Sequence, residues 1–347
     1  MMTSTPSASS APSALPTQTQ QWVLASRPKG MPTAENFRLE TVDLPELADG
    51  QILVSNTVAT VDPYMRGRMN DVKSYIPPFQ IDQPLTGGAV GTVVASKSEK
   101  FAVGDAVRHS FGWQTHAVVN ADEATPVDLN LAPAHAYLGI LGLTGLTAYA
   151  GLTAVGEMKE GDTVFVSGAA GAVGSAVGQI AKHLGAARVI GSAGSDEKVA
   201  RLLELGFDAA FNYHDGPVAD SLADAAPNGI DFYFDNVGGE HLEAAIGAMN
   251  DFGRAALCGA ISQYNATERP AGPKNLVLAI GKCLTLRGFV LGHYLHLAQE
   301  FQATIAPLVV SGEIKYDVTT RHGIENMPAA FLELFSGGNT GKMVVEF

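Results

Sequence analysis

The chain has 347 residues, 46% of them hydrophobic and 16% charged, a length beyond the usual single core, so two domains are expected. Lys and Arg total 22 against 35 Asp and Glu, and a net charge of −13 repels phosphate backbones and disfavours nucleic-acid binding. Cys258 and Cys283 are the only cysteines, which excludes a disulfide framework and favours a reduced, cytoplasmic setting, and no apolar run is long enough to cross a membrane.

Residues 1–20 are rich in Ser, Thr, Pro and Ala and carry neither Lys nor Arg. They read as a disordered tail rather than a targeting segment. From Gln21 the chain is β-rich, with short strands expected at 22–25, 37–42, 52–58, 89–95, 106–109 and 115–119, separated by Pro and Gly clusters. A partly open barrel of antiparallel strands fits this spacing. Residues 133–152 are apolar and helix-compatible, broken by Gly139, Gly142 and Gly145, and read as the passage between domains.

From Gly161 the pattern alternates. Strands are expected at 163–167, 188–192, 208–211, 231–234, 254–258 and 284–289, with helices at 172–184, 196–205, 217–226 and 240–249. Six strands with crossover helices make an α/β, doubly wound parallel sheet. A long amphipathic segment, 296–312, follows. The last stretch, 314–347, returns to strand and loop composition and is expected to rejoin the first domain.

The first strand of the alternating half, Thr163-Val164-Phe165-Val166-Ser167, runs into Gly168, Gly171 and Gly174. Gly168 permits a sharp turn, Gly171 lets backbone amides approach a pyrophosphate, and Gly174 lets helix and strand pack closely. Free amides at the helix start then face the anion. The spacing is GxxGxxG, which a plain tight turn shares; the strand–turn–helix–strand context favours nucleotide binding. The second strand ends in Ala193-Gly194-Ser195, without the carboxylate that accepts from a ribose 2′-hydroxyl in NAD enzymes. Lys198 and Tyr213 follow, a cation and a hydroxyl suited to a 2′-phosphate, so NADP is favoured. Against this, Asp196 and Glu197 also read as an acidic first helical turn and Lys198 as a solvated charge. Asp235-Asn236-Val237-Gly238-Gly239 and the loop from Cys258 to Tyr264 lie at the carboxyl edge of the sheet, where ligands bind such folds; both also read as plain connections. His109 and His116 are the nearest histidine pair in the barrel, and ordinary core or surface roles suit them better than metal binding. No GxSxG elbow or HExxH helix is present, which removes the commonest hydrolase readings.

With these residues in place, the chain resembles the zinc-independent medium-chain dehydrogenase/reductases. Within them it is similar to the NADPH-dependent alkenal/one double-bond reductases, a group that includes leukotriene B4 12-hydroxydehydrogenase/15-oxo-prostaglandin 13-reductase and bacterial curcumin reductases. The likeness runs from Trp22 to Phe347. It rests on Val61-Asp62-Pro63-Tyr64-Met65-Arg66, Gly142-Leu143-Thr144-Gly145-Leu146-Thr147-Ala148-Tyr149, the glycine turn, Gly194-Ser195-Asp196-Glu197-Lys198, Phe211-Asn212-Tyr213, the two loops at 235–239 and 258–264, and Glu325-Asn326-Met327-Pro328-Ala329-Ala330-Phe331.

The resemblance implies a GroES-like catalytic domain from residues 21–141 and 313–347, a Rossmann domain from 142–312, and a homodimer. It implies that Lys198 and Tyr213 bind the 2′-phosphate of NADPH, with Gly168, Ala170, Gly171, Ala172, Val173 and Gly174 around the pyrophosphate. Thr147 would lie near the nicotinamide amide, with Asn236 and Cys258, Gly259, Ala260, Ile261, Ser262 and Tyr264 beside the cofactor. Phe289, Val290 and Leu291 would follow the nicotinamide edge, and Asn339 would close the site from the C-terminal segment. Where zinc alcohol dehydrogenases carry a metal-binding GHE stretch, this chain has Leu85-Thr86-Gly87-Gly88-Ala89, so no metal is expected. His293 and Tyr294 fall in a substrate-lining region that varies within the family. The implied activity is reduction of the C=C bond of α,β-unsaturated ketones and aldehydes. That chemistry needs a donor to the carbonyl oxygen, for which Tyr264 and Tyr64 are candidates and the cofactor's ribose 2′-hydroxyl is the alternative. A quinone reductase on the same fold and a non-catalytic NADPH-binding protein are the alternatives.

Overall fold

A computed structural model describes residues 15–347, so residues 1–14 of the expected tail lie outside the described residues. Strand β1 (Gln18–Leu24) corrects the tail's end, because Gln18, Thr19 and Gln20 pair antiparallel with β2 (Phe37–Asp43). Their side chains are polar and carry no strand pattern; partner hydrogen bonds make them a strand. A second sheet holds β3 (Gln51–Thr60), β4 (Ala89–Ser96), β5 (Ala106–His109), β6 (His116–Asn120) and the short β7 (Thr125–Pro126). The one-turn helix α1 (Met65–Arg68) follows β3, and α2 (Ala134–Leu138) leaves the sheet.

The apolar passage is two helices, α2 and α3 (Leu143–Ala150), broken over residues 139–142 and followed by a π turn over Gly151–Val155. Helix α3 packs tightly: a Cβ on Gly145 would stand 2.9 Å from the Phe301 ring, and one on Gly151 would strike Phe234.

The alternating half is β8 (Thr163–Val166), α4 (Ala172–His183), β9 (Arg188–Ala193), α5 (Asp196–Glu204), β10 (Ala209–Asn212), α6 (Val218–Ala225), β11 (Ile230–Asp235), α7 (Gly239–Ala248), β12 (Met249–Leu257), α8 (Leu278–Gly281) and β13 (Thr285–Gly288). Its six strands run in the order β10-β9-β8-β11-β12-β13, all parallel, as the alternation predicts. Val164, Phe165 and Val166 are fully buried at its centre because helices cover both faces. At the margin, β13 is largely exposed and bonded only to β12.

After α9 (Ala298–Ser311), the chain returns to the first sheet with β14 (Val318–His322), α10 (Met327–Glu333) and β15 (Lys342–Glu346). Strand β15 pairs antiparallel with β3, but β14 pairs parallel with β15. The expected all-antiparallel barrel is therefore a mixed sheet, and α10 is the crossover that a parallel pair requires. This returning segment also grips the nucleotide side. Gln179 exchanges two hydrogen bonds with the backbone of Lys315, Arg201 clamps Asp317 at 2.8 and 2.9 Å, and the Gly341 amide donates to Ala170 O at 2.8 Å.

Candidate active site

The glycine turn follows directly from β8. Gly168 sits at φ +58°, in the left-handed region that favours glycine. A Cβ on Gly174 would stand 2.4 Å from Gly168 O and 2.7 Å from Ala169 Cα, both rigid backbone. Gly171 begins α4 in extended conformation, and no side chain caps the helix start. The amides of Ala172, Val173 and Gly174 therefore form a seat for an anion. This cradle, which a side chain would fill, fits the pyrophosphate of a dinucleotide.

Beyond β9, Ser195 caps α5 through its hydroxyl, and Asp196 and Glu197 are the exposed first turn of that helix. Lys198, half-buried, donates from Nζ to Gly337 O at 2.8 Å, and burial lowers its pKa. Tyr213 closes over the same turn: a Cβ on Gly194 would stand 2.7 Å from its hydroxyl. Its ring rests against buried His241, at 5.3 Å and edge-on. Lys198 and Tyr213 thus border the Gly194–Ser195 turn together, with the C-terminal segment beside them.

The two loops at the carboxyl edge are stitched to each other. Buried Asp235 accepts from the Tyr233 hydroxyl at 2.7 Å and from the Val237 and Gly238 amides at 2.9 and 2.8 Å. Asn236 donates from its side chain to Ser167 O at 2.8 Å. Asp235 O receives the amides of Cys258 and Gly259, and Val237 O receives the Ser262 hydroxyl at 2.6 Å. Burial, then the Asp235 charge, pushes the Cys258 thiol up to about 12, so it stays neutral. Ile261 O and Ala260 O both accept bonds that turn the loop toward Tyr264.

Phe289 packs edge-on against Phe234 and Tyr294, with Val290 and Leu291 next to it. Asn339 donates to Gly341 O at 2.8 Å within the segment that docks on the glycine turn. The Thr147 hydroxyl is engaged inside α3, donating to Leu143 O at 2.7 Å.

Tyr64 and Tyr264, far apart in sequence, line one cavity of about 200 Å³ with Arg68, Val72, Tyr75 and Pro78. The Tyr264 hydroxyl accepts from the Ala260 amide at 3.3 Å, which leaves its own proton unengaged by that bond. Burial raises its pKa. Burial, then the Asp62 charge, raises that of Tyr64 far above the usual phenol range. Both are therefore neutral donors at physiological pH. Asp62, just before Tyr64, is ion-paired with buried Lys342 of β15.

Arg68 and Tyr75 are site residues the sequence reading missed. Arg68 lies 3.9 Å over the Phe79 ring and donates to Thr86 Oγ1 at 2.7 Å. Tyr75 sits in the stretch Ser74-Tyr75-Ile76-Pro77-Pro78, where the prolines signal only a loop. An aromatic inside a proline-flanked loop beside the Tyr64 motif was the available signal.

His109 and His116 do not meet at a metal site. His109 is buried, 2.8 Å from Asn56 Oδ1 through Nε2, and accepts the Phe111 amide on Nδ1. Among the described residues, no group of three or more His, Cys, Asp or Glu is placed to hold a metal. Nor is any helix among them long and apolar enough to cross a membrane.

Comparison with known proteins agrees with this geometry. Residues 20–127 match the N-terminal domain of oxidoreductase, and residues 172–310 match the zinc-binding dehydrogenase family. The NADPH-dependent curcumin reductase of Escherichia coli (strain K12) is 41% identical over 94% of this chain and 96% of its own. Prostaglandin reductase 1 of Bos taurus is 42% identical over 94% and 98%. The crystal structure of CurA in complex with NADPH from Vibrio vulnificus superposes with a TM-score of 0.88 at 43% identity, covering 94% of this chain and 98% of that one.

Proposed function

The chain belongs to the medium-chain dehydrogenase/reductase family, among its NADP-dependent members, and from that premise we propose that it reduces the C=C bond of α,β-unsaturated ketones and aldehydes with NADPH. The observation that carries the reading is the pair of uncharged phenols, Tyr64 and Tyr264, lining one cavity beside loops of the dinucleotide fold. Bound NADPH supplies the hydride that the β-carbon of the substrate receives.

The chain's own part is to hold the two reactants and to stabilise charge. Gly168, Ala170, Gly171, Ala172, Val173 and Gly174 cradle the pyrophosphate through backbone; Lys198 and Tyr213 read the 2′-phosphate. Asn236, the loop from Cys258 to Ser262, and Phe289, Val290 and Leu291 flank the nicotinamide half, with Thr147 and Asn339 at its borders. As the β-carbon is reduced, negative charge collects on the carbonyl oxygen, and a preorganised donor there lowers the barrier. Tyr264 is that donor in this reading, because its hydroxyl takes a backbone amide and keeps its proton to give. Tyr64 is the second candidate.

Turnover of a simple enone with NADPH tests the proposal. Reduction of quinones alone replaces it with a quinone reductase, and tight NADPH binding without turnover replaces it with a binding protein. We further propose a cytoplasmic, zinc-independent homodimer joined along β13. Leu276, Val277 and Ile280 beside that edge are 50%, 69% and 79% exposed, and an open edge of this kind pairs readily with its symmetry mate. A monomeric mass in sedimentation at micromolar concentration rules the dimer out.

A further inference from the structure

Arg66 lies two residues after Tyr64 and is only 3% exposed. Its acceptors are all uncharged. Nε donates to Asn265 Oδ1 at 3.0 Å, one terminal nitrogen to Asn70 Oδ1 at 2.8 Å, and the other to Gly30 O at 2.8 Å. Burying a guanidinium without a carboxylate is costly, and burial depresses its pKa. What the planar fork achieves is to fasten three segments at one point. One of them, Asn265, belongs to the cofactor-side loop and directly follows Tyr264.

The packing around this point is close. Asn265 Nδ2 approaches Met31 Sδ at 3.1 Å, and a Cβ on Gly30, at φ +77°, would stand 3.1 Å from Thr267 Cγ2. The loop after Tyr264 therefore rests on residues 30–31 of the other domain, with the Arg66 fork behind it. Tyr64, two residues before Arg66, and Tyr264, one residue before Asn265, line the same cavity.

We propose that Arg66 is a positioning residue that docks the loop carrying Tyr264 onto the turn carrying Tyr64, and so sets the spacing of the two phenols across the substrate cavity. The kinetic part of this proposal rests on the reductase reading; the docking part does not. Arg66 touches neither phenol in its hydrogen bonds and acts through Asn265. A shift of about 1 Å in a positioning group costs up to roughly 10²-fold in rate, so loss of the fastening is felt at the substrate rather than at the cofactor.

The test uses the full chain and starts at Asn265, which is half-exposed, so that its replacement leaves Arg66 two acceptors and the fold intact. Asn265→Ala is expected to lower kcat/KM for a simple enone by about tenfold or more, with the NADPH Kd within about twofold of the parent. Asn265→Asp, which keeps an acceptor for the guanidinium, is expected to recover most of that loss. Arg66→Met combined with Asn265→Ala is expected to be no worse than Arg66→Met alone, as for two members of one contact. Hydrogen exchange of residues 264–267 is expected to quicken in Asn265→Ala. Parent-like enone kinetics in Asn265→Ala, a parallel loss of NADPH affinity, or an Asn265→Asp as impaired as Asn265→Ala each overturns the proposal. A parent protein inert toward enones defeats the reductase reading instead, and the exchange measurement then decides the docking: unchanged protection at 264–267 overturns it.

Discussion

Around the glycine turn, the proposed cofactor contacts are mostly backbone gathered at one sheet edge: the amides after Gly171, the Gly194 turn, and the loops after β11 and β12 held together by Asp235. Lys198 and Tyr213 are the proposed side-chain contacts there. The cavity proposed for the substrate is lined by side chains, Tyr64, Arg68 and Tyr75 from one domain meeting Tyr264 from the other. The contrast separates two kinds of vulnerability. Backbone sites fail by steric conflict and take the cofactor with them. Side chains of the Tyr64–Tyr264 cavity are expected to lose chemistry while the fold and cofactor affinity survive; Lys198, a side chain on the other wall, is expected to lose coenzyme affinity instead.

The largest expected effect concerns the substrate-side domain as a whole. Burial lowers the His109 pKa from 6.5 to about 4. Between those values the unfolded chain binds more protons than the native one, so this contribution to stability is complete above pH 6.5 and is lost as pH falls toward 4. The loss amounts to about 3 kcal/mol. Urea unfolding at pH 7 and pH 4 checks it, and His109→Gln is expected to show a correspondingly smaller acid loss.

Next is the chemistry. Tyr264→Phe is expected to lower kcat by roughly 10²-fold with NADPH affinity nearly unchanged. An unchanged kcat, where hydride transfer limits turnover, reassigns the donor to Tyr64 or to the cofactor ribose. On the opposite wall, Lys198→Ala is expected to weaken NADPH by about 1.5–3 kcal/mol and to leave NADH almost untouched. Equal losses for both coenzymes remove the 2′-phosphate assignment.

Gly174→Ala sharpens the contrast further. Its new Cβ meets backbone that cannot yield, and a loss of roughly 1–3 kcal/mol in stability is expected, together with weaker NADPH binding. Parent-like melting and cofactor affinity would mean that the turn relaxes more than its packing indicates. The smallest expected effect is none: exhaustive EDTA treatment leaves activity intact, and stoichiometric zinc in active, dialysed protein contradicts that.

How legible each wall is follows from the same difference. Expected bounds of β8, β9 and β11 lie within about one residue of the observed ones, because these buried parallel strands are continuous apolar runs, whereas β12 starts at Met249, ahead of its expected start at 254. Where a strand is defined by its partner, local pattern is silent: Gln18, Thr19 and Gln20 look like tail until β2 pairs with them. The parallel β14–β15 pair was equally hidden, since α10 is short and its crossover becomes visible only once both strands lie in one sheet.

The sequence by itself determined the order of elements in the alternating half, the doubly wound sheet, the glycine turn and the placement of Lys198 and Tyr213 after neighbouring strands. These follow from local rules, periodicity, turn chemistry and connection, that act over a few residues. Only the tertiary structure decided that Tyr75 and Arg68 join Tyr64 and Tyr264 at one cavity, that Lys198 reaches Gly337, and that Arg66 reaches Asn265. Such contacts join segments distant in the chain, where no period or spacing relates one residue to the other. They exist because two domains close on each other, and packing selects which side chains then face.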